Sequence, residues 1–310
     1  MPIAGRSPQP VCRCAGARPA CCIWRATTAT PRRSAGWPVA NGGWWFPGGG
    51  WVDPASLCRA NLAHRATAIT PHYGRPVERI EHRADLWHAL DAAGAVIAAA
   101  PILILANAGD ARRFAPAAHL PLRAARGQVS HLPAEEDSAP AIVVCRLGYV
   151  TPTIDGRRCA GATFAVDDHD TALRSADHAE NLARLDFMLP GYGRGLRAED
   201  LDGRVGFRPL SPDRLPMIGA VADAAALAPS RPAPPLADLP RLPGLYLING
   251  FGARGIVWSA LAGELLACLI DGTPPPISDD LVSAVDPGRF LLRGRGQQRR
   301  RPANDRGARP

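Results

Sequence analysis

The apolar and polar positions change texture at Gly42. Ahead of it, residues 1–41 mix Pro, Arg, Thr, Ala and Cys with a period of neither two nor ~3.6, a pattern that predicts disorder. From Gly42 the stretch NGGWWFPGGGWVDP sets Trp44, Trp45, Phe46 and Trp51 among glycines. PASLCRANLAHRA then has helical spacing, with Pro54 in the first turn and Asp53 as a natural N-cap. ATAIT predicts a short strand, and ILILA, between Pro101 and Asn107, a buried strand ending in a turn.

LPLRAARGQVSHLP reads as strand, glycine, strand, and residues 134–166 as further short strands, with Asp155-Gly156 as a hairpin turn. TALRSADHAENLARLDFMLP predicts a surface helix with Leu173, Leu182 and Leu185 on one side and Pro190 beyond its end. GRVGFRPLSPDRLPMIG reads as strand and turn, followed by a Pro- and Ala-rich loop. LYLIN is then a buried strand, and GIVWSALAGELLACLI a helix stopping at Asp271-Gly272. After Arg293 the pattern is lost again, which predicts a disordered tail over 293–310. The sum is an α/β chain with an antiparallel (α+β) insertion and no internal repeat.

Composition narrows this only in part. A chain of 310 residues that is 46% hydrophobic can bury a sizeable core. The formal charge of +8 comes entirely from arginine, since the sequence contains no lysine. That leaves open a surface for phosphate polyanions or a bias of composition. No apolar run reaches the ~18 uninterrupted residues of a membrane span, because Pro101 and Glu264 interrupt the two longest. With no secretory signal evident, the expected location is the cytoplasm. Cys58, Cys145, Cys159 and Cys268 are scattered singly, and Cys12, Cys14, Cys21 and Cys22 lack the spacing of a zinc knuckle. Asp167, Asp168, His169 and Asp170 read as a solvated loop, with His178 as an exposed or capping residue on the helix that follows. No metal site is expected.

The most specific chemistry lies near the end of the chain. Gly250, Gly252 and Gly255 match G-x-G-x-x-G between a buried strand and a helix, a turn that lets backbone approach a phosphate or a ring closely. The helix, however, runs into DGTPPPISDD, and the remaining residues are too few for a nucleotide domain. The turn is therefore either structural or one wall of a site whose other walls lie upstream. Asp213 and Arg214 read as a structural pair that positions the turn.

GGWVDPASLCRANLA, RGQVSHLP, GYVTPTIDGRRCAGATF, NLARLDFMLPG, GRVGFRPLSPDRLPMIG, GLYLINGFGARGIVWSALAGELLACLIDGTPPP and LVSAVDPGRFLLR together resemble one family. They are similar to the C-terminal oxidoreductase half of the bifunctional tRNA 5-methylaminomethyl-2-thiouridine biosynthesis proteins, within the D-amino-acid and glycine oxidase-like flavoproteins. The resemblance runs from Gly42 to about residue 292. It implies a Rossmann-like FAD-binding domain (elements over 52–111 and 208–292) with an antiparallel substrate domain (112–207). It also implies FAD as cofactor, tRNA as partner, and oxidation of a carbon–nitrogen bond in a carboxymethylaminomethyl group on the wobble uridine. Gly250, Phe251, Gly252, Ala253, Arg254 and Gly255 are implied to approach the flavin. Arg208 falls where related amine oxidases hold the substrate carboxylate, and Arg254 is a second anchor for a carboxylate or phosphate.

Two departures qualify the resemblance. No strand, G-x-G-x-x-G turn and helix with a terminal acidic residue precedes Gly42, and no methyltransferase domain is present. The expectation is an incomplete, N-terminally truncated FAD domain with weakened flavin binding, which pairs with a separate N-terminal half or methyltransferase domain. The alternatives are a small-molecule amine oxidase of the same superfamily, against which the basic charge and the Asp-Pro-Gly-Arg-Phe ending weigh, and a non-catalytic remnant that binds RNA or a partner.

Overall fold

The computed structural model describes residues 50–64, 68–133, 142–227 and 234–292. The expectations for residues 1–41, for the 293–310 tail, for Trp44 and Trp45, and for the four N-terminal cysteines lie outside the described residues. Helix α1 (Pro54–His64) begins as the sequence predicts, with the Ser56 amide donating to Asp53 Oδ1 at 2.6 Å, and it buries none of its side chains. Of the strand expected at ATAIT, the described residues Ala68–Thr70 carry no ladder.

Three sheets follow. β1 (Arg79–Arg83), β2 (Leu86–Leu90) and β3 (Val96–Ala100) make an antiparallel meander. β4 (Leu103–Leu105) joins the late strands β11 (Met217–Ala222) and β12 (Arg241–Asn249) in the order β11-β12-β4. β12 runs antiparallel to β11 and parallel to β4, with Leu245 opposite Leu103 and Leu247 opposite Leu105. Period-two alternation divides β12 between two cores. Leu245 and Leu247 pack with Trp87, Leu105, Phe114 and Met217, whereas Tyr246 and Ile248 face Ile218, Leu265 and Leu266 beneath helix α3 (Gly255–Asp271). The Trp87 indole N–H donates to the Pro243 carbonyl at 2.8 Å and ties the meander to this sheet.

The third sheet comprises β5 (Arg123–Pro133), β6 (Val144–Cys145), β7 (Tyr149–Val150), β8 (Arg157–Gly161), β9 (Ala165–Val166) and β10 (Gly203–Leu210), in the order β10-β5-β8-β7-β6 with β9 also on β5. All of its pairings are antiparallel. Helix α2 (Ser175–Met188) covers one face through Leu185 and Met188 against Leu132, Val150 and Ala160. The Asp155-Gly156 turn forms as expected, with both residues at positive φ.

Three local readings are corrected. β5 is a single strand through Gly127 and does not break there. Leu173 lies ahead of α2 and is exposed. His178 is neither exposed nor a cap: it is 2% exposed, with Nδ1 2.7 Å from Ser130 Oγ.

The ILILA strand is covered on one side only, because Leu105 is buried while Ile102 and Ile104 are more than two-fifths exposed. α3 shows the same asymmetry. Ala262, Leu265 and Leu266 are buried, yet Ile256 and Val257 stand 50% and 83% exposed. With the 3-10 turn before it, this helix forms a 20-residue stretch long and apolar enough to cross a bilayer by length and composition. Its packing on Ile218 and Val285, the latter in helix α4 (Asp279–Val285), makes it a core helix with an uncovered outer side. Gly272 caps it at φ 68°, the left-handed conformation that Asp271-Gly272 predicts.

Candidate functional site

β4 and β12 are parallel neighbours, so their carboxyl ends open on the same side, where ligands bind in open α/β sheets. Two turns leave those ends. Asn249 is 2% exposed, and its Nδ2 donates to the Ala108 carbonyl at 2.8 Å, while its Oδ1 accepts the Gly250 amide at 2.7 Å. One buried side chain thus holds the turn after β4 against the turn after β12. Gly250 and Gly252 have φ of 76° and 58°, and Ala108 has φ of 54°, where the Cβ of an L-residue is strained. Sequence reasoning found the glycines but passed over Asn249 and Ala108. The available signal was Asn-Ala-Gly directly after the ILIL strand, facing Asn-Gly at the end of LYLIN.

The glycine turn also meets the antiparallel sheet, where Phe251 forms a backbone bridge with Leu210 at the end of β10. Two residues back, Arg208 extends across the sheet. Its guanidinium lies on Gly127, where an added Cβ would stand 2.7 Å from Cζ. Gly127 therefore serves as the seat for this side chain, which explains a glycine inside an unbroken strand. The Arg208 Nη1 donates weakly to the Thr163 carbonyl at 3.4 Å, and Cζ stands 5.6 Å from the Phe164 ring centroid. Burial pushes the guanidinium below its ordinary value, an effect that nearby Tyr149 opposes. Among the described residues no carboxylate pairs with Arg208. A half-buried guanidinium with no carboxylate partner has the chemistry to receive an anion.

The other charged candidates have structural duties. Arg254 is exposed, and its Nη2 donates to the Arg214 carbonyl at 3.0 Å, which bolts the glycine turn to the turn before β11. Asp213, expected to pair with Arg214, is engaged by a distant arginine. It accepts two hydrogen bonds from Arg289, and Asp286 accepts two from Arg241. The Asp-Pro-Gly-Arg-Phe ending is thus committed to internal ion pairs. Asp167 pairs with Arg123, and both Asp168 and Asp170 pair with Arg174, so this acidic loop is neutralised by arginine. No group of metal-ligating residues occurs among the described residues.

The arrangement fits the ring end of a flavin. Gly250 and Gly252 turn the backbone through the left-handed region at the mouth of the parallel strands, and α3 starts with no capping side chain and no acidic residue in its first turn. For the ADP half, no second glycine turn opening a helix from the parallel strands occurs among the described residues.

A family model described as FAD dependent oxidoreductase matches residues 15–269, beginning ahead of Gly42. The bifunctional tRNA 5-methylaminomethyl-2-thiouridine biosynthesis protein MnmC of Aromatoleum aromaticum is 57% identical over 266 residues, which is 86% of this chain and 41% of that protein. The chain spans about two-fifths of the length of the curated relatives it matches. Among solved structures, glycine oxidase from Geobacillus kaustophilus aligns with a TM-score of 0.55 and 20% identity over 74% of this chain and 56% of that one. L-proline dehydrogenase from P. horikoshii aligns with a TM-score of 0.56 and 19% identity over 77% and 59%. These two show the fold, a parallel-strand unit joined to an antiparallel sheet, and the family model together with the glycine turn identifies the chain as a member of the FAD dependent oxidoreductase family.

Proposed function

We propose that the chain is the oxidative unit of a tRNA-modifying enzyme that removes the carboxymethyl group of 5-carboxymethylaminomethyl-(2-thio)uridine at the wobble position. A bound FAD would supply the two-electron acceptor, taking a hydride from the C–H beside the amine nitrogen while that nitrogen loses a proton and the C=N bond of an imine forms. The remaining chemistry is hydrolysis of the resulting imine, with water splitting it into the aminomethyl nucleoside and glyoxylate.

The observation that carries this reading is the free Arg208 guanidinium, seated on Gly127 beside the glycine turn. A glycine-like substituent ends in a carboxylate, and two parallel N–H donors hold such a group and fix the adjacent carbon–nitrogen bond in place. Gly250, Phe251, Gly252, Ala253, Arg254 and Gly255 form the wall that lets the cofactor ring approach closely, with Arg254 holding that wall in position. The 57% identical relative is named as a bifunctional tRNA-modification protein, which supports tRNA as the partner. The reading therefore includes a second domain or N-terminal half acting with this one.

The test is direct. The protein, supplied with FAD, is incubated with tRNA bearing the carboxymethylaminomethyl group, and glyoxylate is measured alongside nucleoside mass. Equimolar glyoxylate and aminomethyl nucleoside are expected. Turnover of sarcosine or glycine without any action on tRNA would identify a small-molecule amine oxidase. A preparation that takes up no flavin would rule out both activities for this chain.

A further inference from the structure

The face of the six-stranded sheet opposite α2 carries more than Arg208. Side chains alternate across a strand, so Arg204, Gly206 and Arg208 of β10 share that face with Ala125, Gly127, Val129 and His131 of β5. Through the β5–β8 and β7–β8 registers, Arg157, Cys159, Gly161 and Tyr149 join them. The Arg208 guanidinium over Gly127, and Val129 Cγ1 3.0 Å from a Cβ built on Gly161, both place this face on the same side.

Three guanidiniums stand in file on it. Arg208 is level with Ala125, Arg204 with Val129 and Arg157 with Pro133, four residues apart each time, or roughly 13 Å per step along the strands. Arg123, Arg126, Arg174 and Arg184 elsewhere on this unit are each in an ion pair. Arg157, Arg204 and Arg208 are in none among the described residues, and Arg157 and Arg204 are exposed. Asp202 lies 3.5 Å from His131 Nδ1 and also feels the charge of Arg157, without forming an ion pair with it. Between the inner two arginines the floor is Gly206 and Gly127, with Phe164 52% exposed beside Arg208. Unpaired cations in a row with an exposed ring at one end fit a single-stranded polynucleotide, whose phosphates track the cations and whose bases stack on the ring.

We propose that this face is an RNA track: Arg204 and Arg157 bind backbone phosphates of a single-stranded loop whose modified base is presented at Arg208. The inference rests on the tRNA reading given above and assigns that reading a surface. It commits the track to RNA backbone rather than to a protein partner, because it offers spaced charge over a glycine floor instead of an apolar patch.

The test measures binding of a short RNA hairpin by fluorescence anisotropy across a series of salt concentrations. It uses the full chain and the variants Arg204→Gln, Arg157→Gln and Arg59→Gln, the last on exposed α1 and off the track. Thermal melts confirm that each variant is folded. Arg204→Gln and Arg157→Gln are each expected to weaken binding several-fold and to flatten the log–log salt slope by about 0.7, the value for one lost single-strand phosphate contact. Arg59→Gln is expected to leave both unchanged. Wild-type binding with an unaltered slope in both track variants would overturn the track while leaving the tRNA reading in place. Absence of wild-type binding even at low salt would overturn the tRNA reading, and the track with it.

Discussion

Arg289 Nε and Nη2 reach the two carboxylate oxygens of Asp213 at 2.9 and 3.0 Å, across a sequence separation of 76 residues. The contact joins the turn after α4 to the turn before β11, and Arg289 also donates to the Leu215 carbonyl at 3.1 Å. The Arg-Pro-x-x-x-Asp-Arg-x-Pro segment and the Asp-Pro-x-Arg-Phe ending are two halves of one clamp. Arg289 is only 4% exposed, so the pair is largely shielded from solvent. Replacing Arg289 with Ala takes the guanidinium from the partly buried Asp213 carboxylate, and a loss of about 3 kcal/mol is expected in urea unfolding. The double variant Asp213→Leu/Arg289→Met should recover much of that loss, and strict additivity of the two single changes would contradict the clamp.

Arg208→Lys retains the charge but loses the planar fork. If the fork holds the substrate carboxylate, kcat/KM for a carboxylate-bearing amine should fall about 100-fold, as for truncating one partner of a desolvated charge pair. The same change should make little difference with the corresponding amide substrate. An equal drop for both would assign Arg208 to structure alone.

His178 is buried with Nε2 lacking a partner, and burial pushes its pKa below the ordinary 6.5. The unfolded chain then takes up a proton at a higher pH than the folded one, so stability falls as pH drops below 6.5 toward the lowered value. The slope is at most about 1.4 kcal/mol per pH unit for one proton. Denaturant midpoints measured from pH 7.5 downward should show it, and His178→Gln should flatten the curve in that window. An identical pH profile in the variant would assign the slope to other groups, with His119, also lowered by burial, as the first to test.

Gly250→Ala puts a Cβ at φ 76° and 3.3 Å from Met217 Cε. A cost of about 1–2 kcal/mol is expected from the left-handed backbone alone, with the Phe251 bridge to Leu210 displaced. Flavin titration should show weaker uptake than the stability loss explains. Unchanged uptake would separate the turn from the cofactor.

The open side of β4 and α3 predicts self-association. Ile102, Ile104, Ile256 and Val257 are all exposed, and among the described residues β4 is an edge strand of its sheet. Ile104→Lys and Val257→Glu should lower light scattering at high protein concentration while shifting Tm by no more than a few degrees, since neither side chain packs in the core. A large drop in Tm would show that these side chains carry more of the fold than their exposure indicates.

The sequence displays what depends on neighbours in the chain. α3 was readable because an apolar run ends at Asp271-Gly272, and the capping glycine is where the pattern puts it. The glycine turn was readable because its φ requirements are local. What escaped depends on partners far along the chain. Gly127 looked like a strand break because only the Arg208 guanidinium, 81 positions on, explains it. Asp213 looked paired with its neighbour Arg214 because Arg289 adjoins it only after folding. His178 looked like a surface residue on an amphipathic helix, and its burial comes from Ser130 on a strand that the helix pattern does not encode.

The hydrogen bond from Asn249 to Ala108 spans 141 residues, and the β12–β4 ladder beside it spans as many again. Pairings of that separation form slowly, because the loop must close before the contact contributes any stability. During synthesis the mouth of the parallel strands can take shape only after LYLING has left the ribosome, so for most of translation β4 waits unpaired. Until then an apolar strand edge is open to aggregation, a hazard that shielding by a chaperone would lower.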